Sequence, residues 1–331
     1  MSIFINAQSG IRTIPLFAML LATCGSVSAG LPATMSPLGQ QVLPPELAAF
    51  SKARTVVDLT DAELLQEYPE ELGGLEFDKD HEPLTQLLAS VGEKVAALFR
   101  DYPKTTSKEQ VRREALGRDD RVQESVTQNY YYSVYPRELS LWEEARTDNR
   151  GHPIPPEKMR GSSILTSGFG SVGIFFHPIH QSGSSYRYLG WQSKEPSSHV
   201  IAFAQRPGMA QVGGSFTSDS MLLPTKMLYQ GMAWIDPKSY QIVRMRTDLL
   251  APRPDVRLYQ QTTEIWFSEV HFGATPQAFW VPREVVVTIW WGSQKFRNRH
   301  RYSDHQVFMV ETQEKIELPK IKKHPDRPRP Q

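Results

Sequence analysis

Cysteine is nearly missing from this 331-residue chain: Cys24 stands alone. One thiol excludes an intramolecular disulfide and a thiolate metal site, so stability must come from packing. Net charge is nearly missing too, +1 from 37 Lys+Arg against 36 Asp+Glu. A balanced chain has no global field to gather nucleic acid or an acidic substrate. After the N-terminal segment no apolar run approaches the roughly 20 residues of a membrane-spanning helix. Catalytic vocabulary is sparse as well. There is no G-x-S-x-G, and no cysteine nucleophile beyond residue 24. The expectation is a protein without catalysis.

Proline is abundant by contrast, with 25 residues gathered in loops and at the two ends. The N-terminus reads as an address. Arg12 precedes the short apolar run Ile14 to Ala22, and Val27-Ser28-Ala29 supplies small residues for cleavage. Residues 1–29 are therefore expected to be a secretory signal, which places the mature protein in the periplasm or outside the cell. Leu21-Ala22-Thr23-Cys24 resembles a lipobox, although Thr23 is a poor residue before the cysteine. Cleavage after Ala29 is preferred over a lipid anchor at Cys24. Residues 30–78 read as a lead-in with one short helix, started by the capping box Thr60-Asp61-Ala62-Glu63. Residues 79–315 read as the main domain and 316–331 as a basic, Pro-rich, disordered tail.

One amphipathic helix stands out. Leu84, Leu87, Leu88, Val91, Val95, Leu98 and Phe99 recur at helical spacing, and Pro103 ends the run. Behind it lies strand after strand. GMAWIDPKSYQIVRMRTDLL, residues 231–250, has two alternating runs around Asp236-Pro237-Lys238-Ser239, which suits a type I turn. TTEIWFSEVHF, FWVPREVVVTIWW and KFRNRHRYSDHQVFMV repeat that grammar. Further strands are expected over 125–135, 141–146, 186–192 and 199–205, and a short helix over 167–176; residues 108–116 fit helix or strand equally. The fold class is α+β: a curved antiparallel sheet, a half-open barrel, with helices covering its concave face.

Motifs with chemistry are few. Gly168-Phe169-Gly170-Ser171-Val172-Gly173 matches G-x-G-x-x-G, and Glu195 follows at a ribose-binding distance. A dinucleotide site needs a parallel strand and a full crossover helix, and Pro178 stops this helix early. Small residues that let a helix approach the sheet explain the glycines better. His177 and His180 are a close pair, but Pro178 prevents helical presentation and no third ligand is spaced to complete a metal site. No metal and no cofactor are expected. His300 and His305 fall on opposite faces of a regular strand.

Two patterns suggest binding. Phe279, Val281, Val285, Val287, Ile289 and Trp291 share one parity; with Leu88, Val91 and Val95 they could line an apolar ligand site or simply form core. Lys295, Arg297, Arg299 and Arg301 share one face of the last strand. That ladder could meet lipid phosphates or an acidic partner, or be a solvated face paired with acidic neighbours.

Ala233-Trp234-Ile235-Asp236-Pro237 with Ile242-Val243-Arg244, Phe279-Trp280-Val281-Pro282 and Arg301-Tyr302-Ser303 resemble segments of the lipoprotein-carrier superfamily of LolA and LolB type. The resemblance spans residues 84–310 as pattern. It implies a half-open barrel plugged by helices, with acyl chains received in an apolar interior. The whole chain also resembles secreted bacterial proteins carrying TSGFGS-like, WIDP-like and RNRHRYSD-like segments. Residues 46–75 and 147–162 are additions to the compact carriers. The leading expectation is non-covalent binding of a hydrophobic or acyl-bearing ligand, a lipid or lipoprotein. An envelope scaffold or sensor binding another protein is the alternative, and a hydrolase the third.

Overall fold

The computed structural model describes residues 2–7, 49–78, 82–136, 142–154, 165–166, 169–194, 196–217, 225–273 and 277–308. Cys24, the cleavage site, Gly168, Glu195 and the basic tail lie outside them.

The elements follow in chain order. Strand β1 is Ser2–Ala7, within the segment read as a signal, and helices α1 and α2 are Asp61–Glu67 and Pro69–Leu72. Then come β2 (Leu75–Phe77), α3 (Glu82–Asp101), β3 (Thr105–Leu116), β4 (Val122–Pro136) and β5 (Trp142–Thr147). β6 (Leu165–Thr166) precedes a 3₁₀ helix, Phe169–Phe176. β7 (Ser184–Gln192), β8 (Ser198–Gln205), β9 (Val212–Thr217), β10 (Thr225–Met227) and β11 (Tyr229–Ile235) follow. β12 (Ile242–Leu249), β13 (Leu258–His271), β14 (Ala278–Trp291) and β15 (Gln294–Val307) complete the chain.

Eleven strands form one sheet in the order β2-β7-β8-β11-β12-β13-β14-β15-β3-β4-β5. Every neighbouring pair in it is antiparallel, and β2 and β5 remain separate edges. A four-stranded sheet, β10-β9-β1-β6, stands beside it. Residues 108–116 are strand: β3 pairs with β15 and β4 at once, and its alternating burial is period two, not 3.6. Long-range pairing decides what local propensity left open.

Alternation explains why both faces of the sheet are covered. On β8, Ile201 and Phe203 enter one buried cluster with Leu87, Val91, Val95 and Phe99 of α3 and with Ile174, Phe175 and Phe176. Val200 and Ala202 point the other way, into a cluster with Val56, Leu59, Leu64 and Leu72. Residues 49–78 thus lie on the face opposite α3. Thr60 does start α1, through the expected reciprocal capping box. The segment is also tied polarly: Val56 N–H donates to Gln230 Oε1 at 2.7 Å, and Arg246 pairs with Glu71. At Gly190, φ is +134° and an added Cβ would sit 2.0 Å from the Glu76 carbonyl oxygen. Only glycine lets β2 pair there.

Two local expectations are corrected. The β11–β12 connection is not a simple type I turn. Asp236 N–H donates to the Gln241 carbonyl and Tyr240 N–H to that of Asp236, with Tyr240 in the left-handed region at φ +57°. Pro237 opens the bend, but the Asp236 carboxylate shapes it by accepting from the Lys238 N–H, the Ser239 N–H and the Ser239 hydroxyl. Nor do His300 and His305 lie on opposite faces. The β15–β3 register shifts between Ser303 and Gln306, with Asp304 at φ +53°. The irregularity turns His305 inward, where it lines a small cavity with Tyr302 and Phe169.

Candidate functional site

The apolar stripe of β14 is core. Phe279, Val281, Val285, Val287 and Ile289 are all at most 4% exposed and share one cluster with Val91 and Val95, against which Leu88 and Trp291 pack. Gly92 sets the close approach of α3: a Cβ there would stand 2.7 Å from Gln181 Nε2 and 3.3 Å from the Phe176 carbonyl oxygen. Gly173, from the glycine motif, is less constrained, its nearest neighbour being Val95 Cγ2 at 3.9 Å. The tighter of these two approaches is at Gly92 of α3. Beside this core lies a cavity of ≈ 20 Å³, lined by Tyr102, Tyr132, Val134, Trp142, Phe169 and Tyr302 among others. That is room for about one water. As folded, the predicted stripe packs against other side chains of the described chain.

Next to this cavity sits a buried charge cluster. β3, β5 and β15 bring Glu109, Arg146, His300 and Tyr302 together on one face of the sheet. Arg146 donates through Nε at 2.5 Å and Nη2 at 2.7 Å to the Glu109 carboxylate. His300 Nδ1 at 2.9 Å and the Tyr302 hydroxyl at 3.0 Å meet Glu109 Oε1. Burial pushes the Glu109 carboxyl up, but the guanidinium and the His300 contact outweigh it and hold the carboxyl at about 2. His300 is held below its ordinary range by burial, which exceeds the pull of Glu109. The imidazole is therefore neutral at pH 7 and donates Nδ1–H. Glu109 and His300 are at most 1% exposed, and Phe169 lies over the His300 ring at 4.9 Å. The group is buried and ties β3, β5 and β15 together.

The cationic ladder keeps its shared face, and each member has an acidic neighbour. Lys295 pairs with Asp120, Arg297 with Glu114 at 2.6 Å, and Arg299 and Arg301 with Glu284 at 3.1 and 3.4 Å. His177 and His180 stand with rings 5.8 Å apart, and burial lowers both pKa values. Among the described residues no group of three His, Cys, Asp or Glu could hold a metal ion, and no helix is long and apolar enough to cross a membrane.

The roomiest described concavity lies elsewhere, on the sheet face that carries residues 49–78. It encloses ≈ 590 Å³ between β11, β12, β13 and β14, lined by Trp234, Arg244, Trp266, Phe267, Trp280 and Arg283, with Glu70, Glu71, Lys194 and Glu269 at its polar margin. The Arg244 guanidinium lies 4.4 Å above the Trp234 ring and 5.5 Å from that of Trp266. Trp234 is fixed by its Nε1–H, which donates to Gln192 Oε1 at 2.7 Å; Gln192 in turn holds the carbonyls of Glu71 and Gly73. Apolar and polar side chains both line this cleft, and the Trp234 ring is buried under the Arg244 guanidinium. Sequence reading passed over it. The signal was there in parity: Trp280 is out of step with the buried Phe279 and Val281, and Trp266 with the buried Ile265.

No family model matches the chain, and no curated protein matches it. Among solved structures, a LolA superfamily protein from Nitrosomonas europaea is similar over 67% of this chain and 94% of its own, at 11% identity and a TM-score of 0.32.

Proposed function

We propose that this is an exported, non-catalytic binding protein of the cell envelope, whose ligand is amphipathic and carries an apolar portion such as an acyl chain. The reading rests on the cleft of Trp234, Trp266, Phe267 and Trp280 beneath Arg244 and Arg283. Ligand sites are concavities of about 300–1,000 Å³ with apolar walls and a few polar groups, and this one fits that range. The half-buried rings of Trp266, Phe267 and Trp280 take hydrocarbon, while the exposed Arg283 takes an anionic head. Export rests on residues 1–29 of the sequence. Absence of catalysis is supported by the Glu109–His300 pair, the most acid-base-like arrangement of the described chain, being closed to solvent. In this reading the sheet is a half-open barrel whose inner face is closed by α3 and the 3₁₀ helix, and the ligand sits outside that core.

Two measurements test it. Native mass spectrometry of protein purified from its own envelope should show a bound lipid-sized mass. Vesicles of brominated phospholipid should quench tryptophan emission, and the double variant Trp266→Ala/Trp280→Ala should lose most of the saturable quenching. Protein free of any bound mass, with quenching that the double variant leaves unchanged, would sink the proposal.

A further inference from the structure

The tryptophan cleft has a neighbour on its own face of the sheet, and one cross-strand row joins the two. Arg244 pairs with Trp266, Trp266 with Glu284, Glu284 with Arg301, Arg301 with Gln110, and Gln110 with Asn129. Residues directly opposite each other in antiparallel strands share a face, so these six side chains project from one side. At one end of the row lies the cleft. At the other, Arg301, Gln110 and Asn129 line a second concavity of ≈ 430 Å³. The next row along, Ser303, Lys108 and Tyr131, also lines it, together with Asn149 from just beyond β5. Three strand spacings separate Trp266 from Gln110, about 14 Å.

Its chemistry differs from that of the cleft. Among the described residues no Val, Leu, Ile, Met or Phe lines it. Its cations are engaged: Lys108 with Asp304 at 2.7 Å, and Arg301 at 3.4 Å with the Glu284 carboxylate that also takes Arg299. What they leave is amides and a phenol. Gln110 Nε2 donates to Asn129 Oδ1 over a long 3.5 Å. A side-chain amide has two donors and two acceptor lone pairs, so this contact uses a small part of what the pair offers. Both amides are exposed, as is Tyr131 beside them. Donors and acceptors side by side, next to an aromatic ring and with the charges paired, match a ring that bears several hydroxyls.

We propose, resting on the cleft reading above, that the second concavity is a subsite for a sugar or cyclitol ring in the head of the ligand whose apolar portion occupies the cleft. Along the row, hydrocarbon lies against Trp266 and Trp280, and the anionic group meets Arg283. The ring hydroxyls exchange hydrogen bonds with Gln110 and Asn129, and Tyr131 packs against the ring. The span of about 14 Å suits a glycerol, a phosphate and one ring in series. The volume also falls within the range of about 300–1,000 Å³ usual for ligand sites.

The test is isothermal titration calorimetry of the full chain with dihexanoyl-phosphatidylinositol and dihexanoyl-phosphatidylglycerol, both kept monomeric. The two lipids share acyl chains and a single negative charge, and differ in the inositol ring. Wild type should bind the inositol lipid about tenfold more tightly, as about one further net hydrogen bond gives. Gln110→Ala/Asn129→Ala changes two exposed side chains, so its thermal melt should match wild type. It should bind the inositol lipid no better than the glycerol lipid. Equal affinity of wild type for the two lipids overturns the subsite and leaves the cleft reading standing, as does a preference that survives Gln110→Ala/Asn129→Ala. Inositol 1-phosphate bound as tightly as the lipid would assign the concavity to a free polyol, and likewise overturns it. Protein that binds neither lipid sinks the cleft reading and the subsite with it.

Discussion

Replacing Glu109 by glutamine should destabilise this protein more than its conservative chemistry suggests. Glutamine keeps an oxygen for the His300 Nδ1–H and the Tyr302 hydroxyl. It removes a carboxylate charge from beside Arg146, whose side chain is 3% exposed and donates at 2.5 and 2.7 Å to Glu109. Removing one partner of a buried ion pair costs about 3–5 kcal/mol. The carboxyl itself gives a consistent figure. Its fall from an ordinary 4.5 to about 2 corresponds to about 3 kcal/mol of stability at neutral pH. The sign follows from the direction of that fall. Between pH 4.5 and about 2 the unfolded chain binds the proton and the folded chain does not, so the contribution is complete above 4.5 and fades towards 2. His300 acts in the same sense. Its folded pKa is lowered, so the unfolded ring charges first as pH drops through 6.5, and stability declines from there. Urea unfolding followed by tryptophan fluorescence at pH 7, 5.5 and 4 reads these effects. The gap between wild type and Glu109→Gln should be about 3 kcal/mol or more at pH 7, and should narrow on acidification below 4.5. A pH 7 gap under about 1 kcal/mol refutes the reasoning, and so does a gap that is flat with pH. Glu109→Gln/Arg146→Met should recover more than half of the loss, because it removes the buried charge together with its ion-pair partner.

Phe176→Ala empties a site that is 0% exposed between α3 and the sheet, and a loss of about 3–5 kcal/mol is expected in the same unfolding assay. Thr60→Ala removes the hydroxyl that accepts from the Glu63 N–H; about 1 kcal/mol and a drop of a few degrees in Tm are expected by calorimetry. Asp236→Ala strips three hydrogen bonds from the β11–β12 loop, and should cost about 1–3 kcal/mol while far-UV circular dichroism stays unchanged.

Parts of this molecule were plain in the order of residues alone. Thr60 with Glu63 started a helix, the stripe from Leu84 to Phe99 made another, and alternation marked the strands from Gly231 to Val307 and the parity of the β14 stripe. These features depend on side chains within a few positions of each other, and period is a local property. What alternation cannot say is which strand lies beside which, or what covers a face. β3 became strand because β15, some 190 positions away, pairs with it; the same pairing brings Glu109 to His300 and Tyr302. A register irregularity at Ser303–Gln306 moved His305 inward, and no periodic rule foresees where such an irregularity falls. Tertiary packing likewise buried the β14 stripe in one cluster with side chains of α3 and the 3₁₀ helix. It left a cleft on the other face, among tryptophans whose outward parity the sequence had already written. The residues chose their faces through local chemistry. Only the pairing of distant segments decided which face was core and which was cleft.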